Sequence, residues 1–233
     1  MRRVAGTPDA AHFDASGLRS RRDFERALGL VERSFDDFEN ILEFGCGCGR
    51  ILRWLDDLPA RTTLEGVDID EEAIAWANAH IPQARFTVNQ GLPPLDFPDD
   101  AFDLVVNHSV FTHLPEPYQD AWLAELNRVT RPGGTLLLTV SADHPFQGFV
   151  QSWRDADADP ERWEEEYRRR GIVYVEDDEW RGGPFPDFYH STFHAPWYVF
   201  EHWTRFLELQ AYIVRGSLDF QDLIVLRPRK NSR

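Results

Sequence analysis

Four residues at tight spacing carry the first chemical signal: Glu43, Gly45, Gly47 and Gly49, within the run Ile-Leu-Glu-Phe-Gly-Cys-Gly-Cys-Gly-Arg that ends at Arg50. Glycines accept positive φ and let backbone N–H groups come close to a ligand, which suits a nucleotide-like molecule. A second acid, Asp68, follows the apolar run that starts at Thr63 and is placed to accept both hydroxyls of a ribose. Its other reading is helix capping, although Asp70 serves that purpose equally well. Further along, His108, His113, His144, His190 and His194 supply groups that titrate near neutral pH and suit proton abstraction. The densest cluster is Tyr189-His190-Ser191-Thr192-Phe193-His194, in which His190 or His194 is the expected base with Tyr189 beside them. The i, i+4 spacing of the two histidines also suits a metal on a helix. No clear carboxylate partner accompanies them, so no metal is expected.

These groups need elements to hold them. Ile41 to Phe44 reads as a buried strand, and Ile51-Leu52-Arg53-Trp54-Leu55 has helical apolar spacing after the glycine loop. A helix there would add the partial positive charge of its N-terminus. Residues 63–69, 84–89 and 104–107 are strand-like, and 70–80 and 115–130 are helical. Arg131-Pro132-Gly133-Gly134 then turns the chain into a strand over 135–140. Ahead of all this, Ser20-Arg21-Arg22-Asp23 fits a capping box and predicts a helix running to about Phe35, led by a loose stretch over 1–18. Alternating strands and helices over 40–140 indicate an α/β fold with a doubly wound sheet. Later come a charged helix over 160–170, a loop over 182–186 and a helix over 196–207. A closing hairpin of 210–215 with 220–226 is joined at Gly216-Ser217.

Composition narrows the partners. The chain has 233 residues, 42% of them hydrophobic, which supports one core and one domain with an elaboration. A formal net charge of −15 repels nucleic acid, and its arginines are scattered among acids without forming a basic patch. No apolar run is long enough to cross a bilayer and no hydrophobic segment follows Arg2-Arg3, so no membrane partner is expected and the expected location is cytoplasmic. Cys46 and Cys48 are too close for an unstrained disulfide and read as small residues in a tight loop. Oligomeric state leaves no mark in the sequence.

A dinucleotide loop of the form G-x-G-x-x-G would need glycine where Arg50 stands. An acid followed by G-x-G-x-G resembles instead motif I of the class I S-adenosylmethionine-dependent methyltransferases. The later stretch Phe102-Asp103-Leu104-Val105-Val106, continuing to Val110-Phe111-Thr112-His113-Leu114, is similar to that family's fourth strand and loop, and Arg-Pro-Gly-Gly to its turn before strand five. The likeness spans about residues 38–140. It implies a Rossmann-like seven-stranded sheet with an antiparallel last strand and S-adenosyl-L-methionine as cofactor. It places Glu43, Gly45, Cys46, Gly47, Gly49 and Arg50 around the methionine part, Asp68 on the ribose, and Ile69 against adenine. It also places Asn89 on the adenine amino group, and the backbone near Asn107 with the Ser109 side chain at the amino-acid end. An ordinary turn residue remains the other reading of Asn89. The Phe-Gly-Cys-Gly-Cys-Gly-Arg run, with Thr-Phe-His-x-Pro-x-Tyr-Val from Thr192 and the pair Gln221-Asp222, resembles a largely uncharacterised bacterial small-molecule branch.

The expected organisation is one methyltransferase domain. A cap helix occupies 1–38, where the resemblance lets His12, Phe13, Ser16 and Gly17 approach the cofactor, a surface helix with a loose lead being the other reading. The cofactor core is 39–142, an aromatic-rich lid insertion fills 143–200, and the end of the last helix with its hairpin takes 201–233. Aromatic faces in the lid suit a sulfonium through cation–π attraction, and a satellite core would also account for many of them. The expected reaction is methyl transfer to an oxygen or nitrogen of a small-molecule acceptor, a sugar or secondary metabolite. An NAD-dependent oxidoreductase, which would want the same acid at 68, and a non-catalytic nucleoside-binding protein stay open at this point.

Overall fold

Why the chain forms its central sheet is visible in β1 (Asn40–Phe44) and β4 (Phe102–Asn107), where successive residues bury opposite faces. Ile41, Leu104 and Val106 point into one core layer, and Leu42 and Val105 into the other. Parallel strands covered on both sides need such unbroken apolar runs. The computed structural model describes residues 8–155, 160–176 and 185–230. With β2 (Thr63–Asp68), β3 (Arg85–Val88), β5 (Thr130–Val140), β8 (Leu207–Ser217) and β9 (Gln221–Pro228), the sheet has seven strands in the order β3-β2-β1-β4-β5-β9-β8. Strand β9 runs antiparallel to both neighbours, β5 and β8. This is the expected Rossmann-like α/β sheet with an antiparallel last strand.

Helices α1 (Ala10–Gly29) and α2 (Glu71–His80) cover one face. Helix α3 (Glu116–Val129), with Trp122, Leu123 and Leu126 inward, covers the other together with Trp203. The insertion holds α4 (Asp143–Asp155), α5 (Glu161–Arg170) and a two-stranded antiparallel sheet of β6 (Ile172–Val175) and β7 (Ser191–His194). It is followed by α6 (Pro196–His202). Phe146, Val150, Trp163, Tyr167, Val173 and Phe193 make its own small core, so many of its rings are satellite packing. Neither α4 nor the β6–β7 pair was expected from the sequence, and the loop expected over 182–186 lies partly outside the described residues.

Three expectations give way. Ser20-Arg21-Arg22-Asp23 does not start a helix, because α1 begins at Ala10 behind Asp9, whose carboxylate accepts the Ala11 N–H at 2.9 Å. Ser20 and Asp23 are buried mid-helix because they have distant partners: Ser20 Oγ accepts from Arg50 Nη1, and Asp23 Oδ2 accepts from the Leu218 N–H at 2.8 Å. Nor does a full helix follow the glycine loop. Leu52–Trp54 is a single 3₁₀ turn, its first N–H taken by Glu43 Oε2 at 3.2 Å, and Pro59 soon forbids continuation. The closing hairpin is longer than expected and turns at Leu218 and Asp219, both at positive φ, rather than at Gly216-Ser217.

Candidate functional site

Strand order reverses between β1 and β4, and a cleft opens at their carboxyl ends, as open α/β sheets lead one to expect. Its main cavity has a volume of about 400 Å³. The glycine loop shapes one wall. Gly45 sits at φ 76°, and a Cβ there would lie 2.1 Å from Val110 Cγ2, so only glycine fits. The Gly47 N–H donates to Asp68 Oδ2 at 2.7 Å, and the Asp70 N–H to Asp68 Oδ1 at 2.9 Å. Asp68 therefore ties the loop to β2 while lining the cavity, and each oxygen keeps a lone pair for a ligand. Burial raises its pKa, against the pull of those N–H groups. Asp70 caps α2 through the Ala73 N–H, which leaves Asp68 for other work.

Glu43, Cys46 and Arg50 line the same cavity. Burial pushes the Glu43 carboxyl up to about 8, opposed chiefly by Arg50. Arg50 is itself buried, which lowers its pKa, and Glu43 counters that. A guanidinium keeps its proton regardless, so the cleft holds one buried cation beside a carboxyl that readily takes a proton. Ser109, at φ 66°, also lines the cavity, with its hydroxyl shared between Thr112 Oγ1 and the Gln221 amide. His12 and Ser16 reach in from α1. A second, smaller cavity of about 60 Å³ adjoins at Gly45, Asp68 and Val110 and is lined by Ile69 and Asn89. Asn89 Nδ2 donates to the Gln90 carbonyl at 2.6 Å, which orients its amide and leaves the oxygen as the acceptor end.

Three expected site residues, Gly49, His190 and His194, lie elsewhere. Gly49 backs onto the core, where a Cβ would meet Ile81 Cδ1 at 2.4 Å, so it serves loop packing. The Asn107 side chain donates to the Phe44 carbonyl at 2.6 Å, which holds the chain there so that His108 and Ser109 after it line the cavity. His190 and His194 do not line the cavity, and the reason is strand geometry. Residues of a strand alternate sides, so Ser191 and Phe193 face the cavity while His190, Thr192 and His194 face the other way. Four residues of extended chain also span roughly 13 Å, so a helical i, i+4 metal pair does not form. Among the described residues no cluster of three or more potential ligands is placed for a metal. Tyr189 does line both cavities, but burial and then the Asp68 charge raise its phenol, which keeps its proton and acts as no base.

The histidines that do line the cavity are His12, His108 and His113. Burial lowers His108 well below the ordinary range, with Arg50 adding to it, so His108 stays neutral. His113 Nδ1 lies 3.1 Å from the His190 carbonyl. A carbonyl can only accept, so Nδ1 carries the hydrogen and Nε2 the basic lone pair. The sequence signal for His113 is its place in the loop after β4, which ranks below the denser cluster near 190.

His194 is a core histidine, fully buried, with Nε2 2.9 Å from Gln119 Oε1 and its pKa lowered to about 3 by burial. Its ordinary value is 6.5, so as pH falls below that value the unfolded chain takes up a proton that the folded chain refuses. Stability from this group is complete above that value and falls by about 1.4 kcal/mol per pH unit below it, until the folded group titrates. Denaturant titrations of the wild type and His194→Gln are expected to show the wild-type advantage shrinking as pH is lowered from 7 to 5. A gap independent of pH would mean that His194 titrates normally.

Residues 41–134 match the family model for a methyltransferase domain. A Haemophilus influenzae protein of uncharacterised function is 33% identical over 136 residues, which are 54% of this chain and 53% of that protein. A probable S-adenosylmethionine-dependent methyltransferase of Mycolicibacterium smegmatis is 37% identical over 101 residues, 43% of this chain and 37% of that one. The chain thus spans about half or less of the length of these curated relatives. Among solved structures, a Pyrococcus horikoshii protein superposes with a TM-score of 0.66 at 19% identity over 98% of each chain. A TehB-like SAM-dependent methyltransferase of Corynebacterium glutamicum gives 0.52 at 20% identity, over 95% of this chain and all of that one. Family model and solved structures converge: over 41–134 this chain matches a methyltransferase domain, and its fold is that of solved S-adenosylmethionine-dependent methyltransferases.

Proposed function

We propose that this protein transfers a methyl group from S-adenosylmethionine to an oxygen or nitrogen of a small molecule. The observation that carries the reading is the continuity of one cleft, from the buried Glu43 and Arg50, past Asp68, to Ile69 and Asn89. These residues fit the cofactor part by part. Arg50 suits an amino-acid carboxylate, Asp68 a ribose diol, and the Asn89 carbonyl an adenine amino group. Gly45 leaves a cradle that a Cβ would fill. When bound, this cofactor supplies an electrophilic methyl group on sulfur.

The chain's own part is then to hold the acceptor in line, keep water out and remove a proton where the acceptor is a hydroxyl. His113 Nε2 is the base we assign to that step, in place of His190 or His194. Ser109, Thr112, Ser141 and Ser191, all lining the cavity, give a hydroxyl-rich wall for a small polar acceptor. The insertion covers the acceptor. A net charge of −15 fits a small molecule better than nucleic acid, and no described helix is long and apolar enough to cross a membrane. The nicotinamide reading lacks support from the matched family, and Arg50 is buried where that reading needs a glycine.

Titration calorimetry tests the proposal. S-adenosylmethionine and S-adenosylhomocysteine are expected to bind and NAD not to. Binding of NAD alone would overturn the reading. Formation of S-adenosylhomocysteine across a panel of hydroxyl and amine acceptors then separates an enzyme from a binder.

A further inference from the structure

The six residues 185–190 lead into β7 on the side of the insertion nearest the cleft, and their rings do not face one cavity only. Phe185 and Tyr189 line both cavities, and Phe188 lines the smaller one together with Ile69 and Asn89. Tyr189 is clamped on both faces, by His113 at 4.3 Å and 18° and by Phe185 at 4.4 Å and 11°. With both faces covered, its edge is what remains for the cavities it lines, near enough to Asp68 for that charge to raise its phenol. Phe188 is fixed as firmly. Its ring meets Tyr118 edge-on at 4.5 Å, its carbonyl accepts from Tyr174 Oη at 2.9 Å, and it packs so close to Gly91 that a Cβ there would lie 3.0 Å from its Cζ. Rigid rings held by packing make good walls for a flat heterocycle.

We propose that Phe185, Phe188 and Tyr189 form the roof over the adenosine half of the cofactor, so that the insertion reads the cofactor as well as the acceptor. The inference rests on the cofactor reading above and extends it to residues that motif I, β2 and β3 do not supply. A ribose on Asp68 has only two ways to extend, toward Glu43 and Arg50 in the larger cavity or toward Ile69 and Asn89 in the smaller. The purine takes the second, beneath Phe188 and beside Tyr189. Tyr189, expected from the sequence to take part in the chemistry, is on this geometry a cofactor-binding residue.

Calorimetry with two probes tests the roof: S-adenosylhomocysteine, and 5′-methylthioadenosine, which keeps the nucleoside and lacks the amino-acid end. Phe185→Ala and Tyr189→Leu are each expected to weaken both probes equally, by about tenfold. Affinities within about twofold of wild type in both variants, or a loss with S-adenosylhomocysteine alone, would overturn the roof. Thermal melts of the ligand-free variants check the fold. Should Tyr189→Leu melt well below wild type, Tyr189→Phe keeps the ring stack and removes only the hydroxyl, with an expected loss of about threefold for both probes. A wild-type protein that binds neither probe would count against the cofactor reading itself, whereas variants that bind like a competent wild type count against the roof alone.

Discussion

Asp68→Ala is expected to weaken S-adenosylmethionine binding by about a hundredfold, close to 2.7 kcal/mol. Hydrogen bonds to a charged group contribute roughly 1.5–3 kcal/mol each, and a carboxylate on a ribose diol makes two of them. The variant loses a second thing, the anchor of the Gly47 N–H, so the loop that shapes the cavity is no longer tied to β2. Asp68→Asn is expected to do nearly as badly, although it keeps size and shape. Both Asp68 oxygens already accept backbone N–H groups, from Gly47 and Asp70, and an amide has only one oxygen. Its NH₂ would face one of those donors. Calorimetry on variants whose melting shows an intact fold measures the loss. An alanine variant within about threefold of wild type would place the ribose elsewhere.

Asp68 stands out in the bare sequence because its signal is local. A strand, a glycine loop and an acid at the next strand's tip lie within one stretch of chain, and their chemistry follows from backbone geometry alone. The sheet is legible for the same reason: Leu104-Val105-Val106 is apolar without a break because both of its faces are covered. What sequence reasoning misses depends on contacts between distant segments. Ser20 and Asp23 look like a helix start until Arg50 and Leu218 arrive as partners from 30 and 195 residues away. His190 and His194 look like a catalytic pair until the chain around them is seen to be a strand paired with β6, which turns them from the cavity. The aromatic insertion shows its composition in the sequence but not its division of labour. Phe146 and Trp163 build a satellite core, while Phe185 and Tyr189 reach the cleft.

Gly17 is the residue through which the leading helix and the glycine loop depend on each other, and Gly17→Ala is expected to destabilise the protein by about 3 kcal/mol. Within an ordinary helix the same change stabilises by up to about 1 kcal/mol, since alanine loses less backbone freedom on folding. Here the sign reverses. A Cβ at Gly17 would stand 2.2 Å from the Arg50 carbonyl oxygen and 2.8 Å from Trp54 Nε1, and a backbone oxygen cannot swing aside as a side chain can. Helix α1 would have to lift off the loop, carrying away Ser20, which accepts from Arg50, and His12 and Ser16, which line the cavity. For a chain of this size about 3 kcal/mol corresponds to a fall in Tm of roughly 6–12 °C. Cofactor affinity is expected to fall with it, because Arg50 loses its fixed position. Gly29→Ala, in the same helix with nothing within 4 Å of the added Cβ, is the matched control and is expected to hold or raise Tm. If Gly17→Ala melted with that control, the helix would not be packed backbone to backbone on the loop, and His12 and Ser16 would lose their place in the cleft.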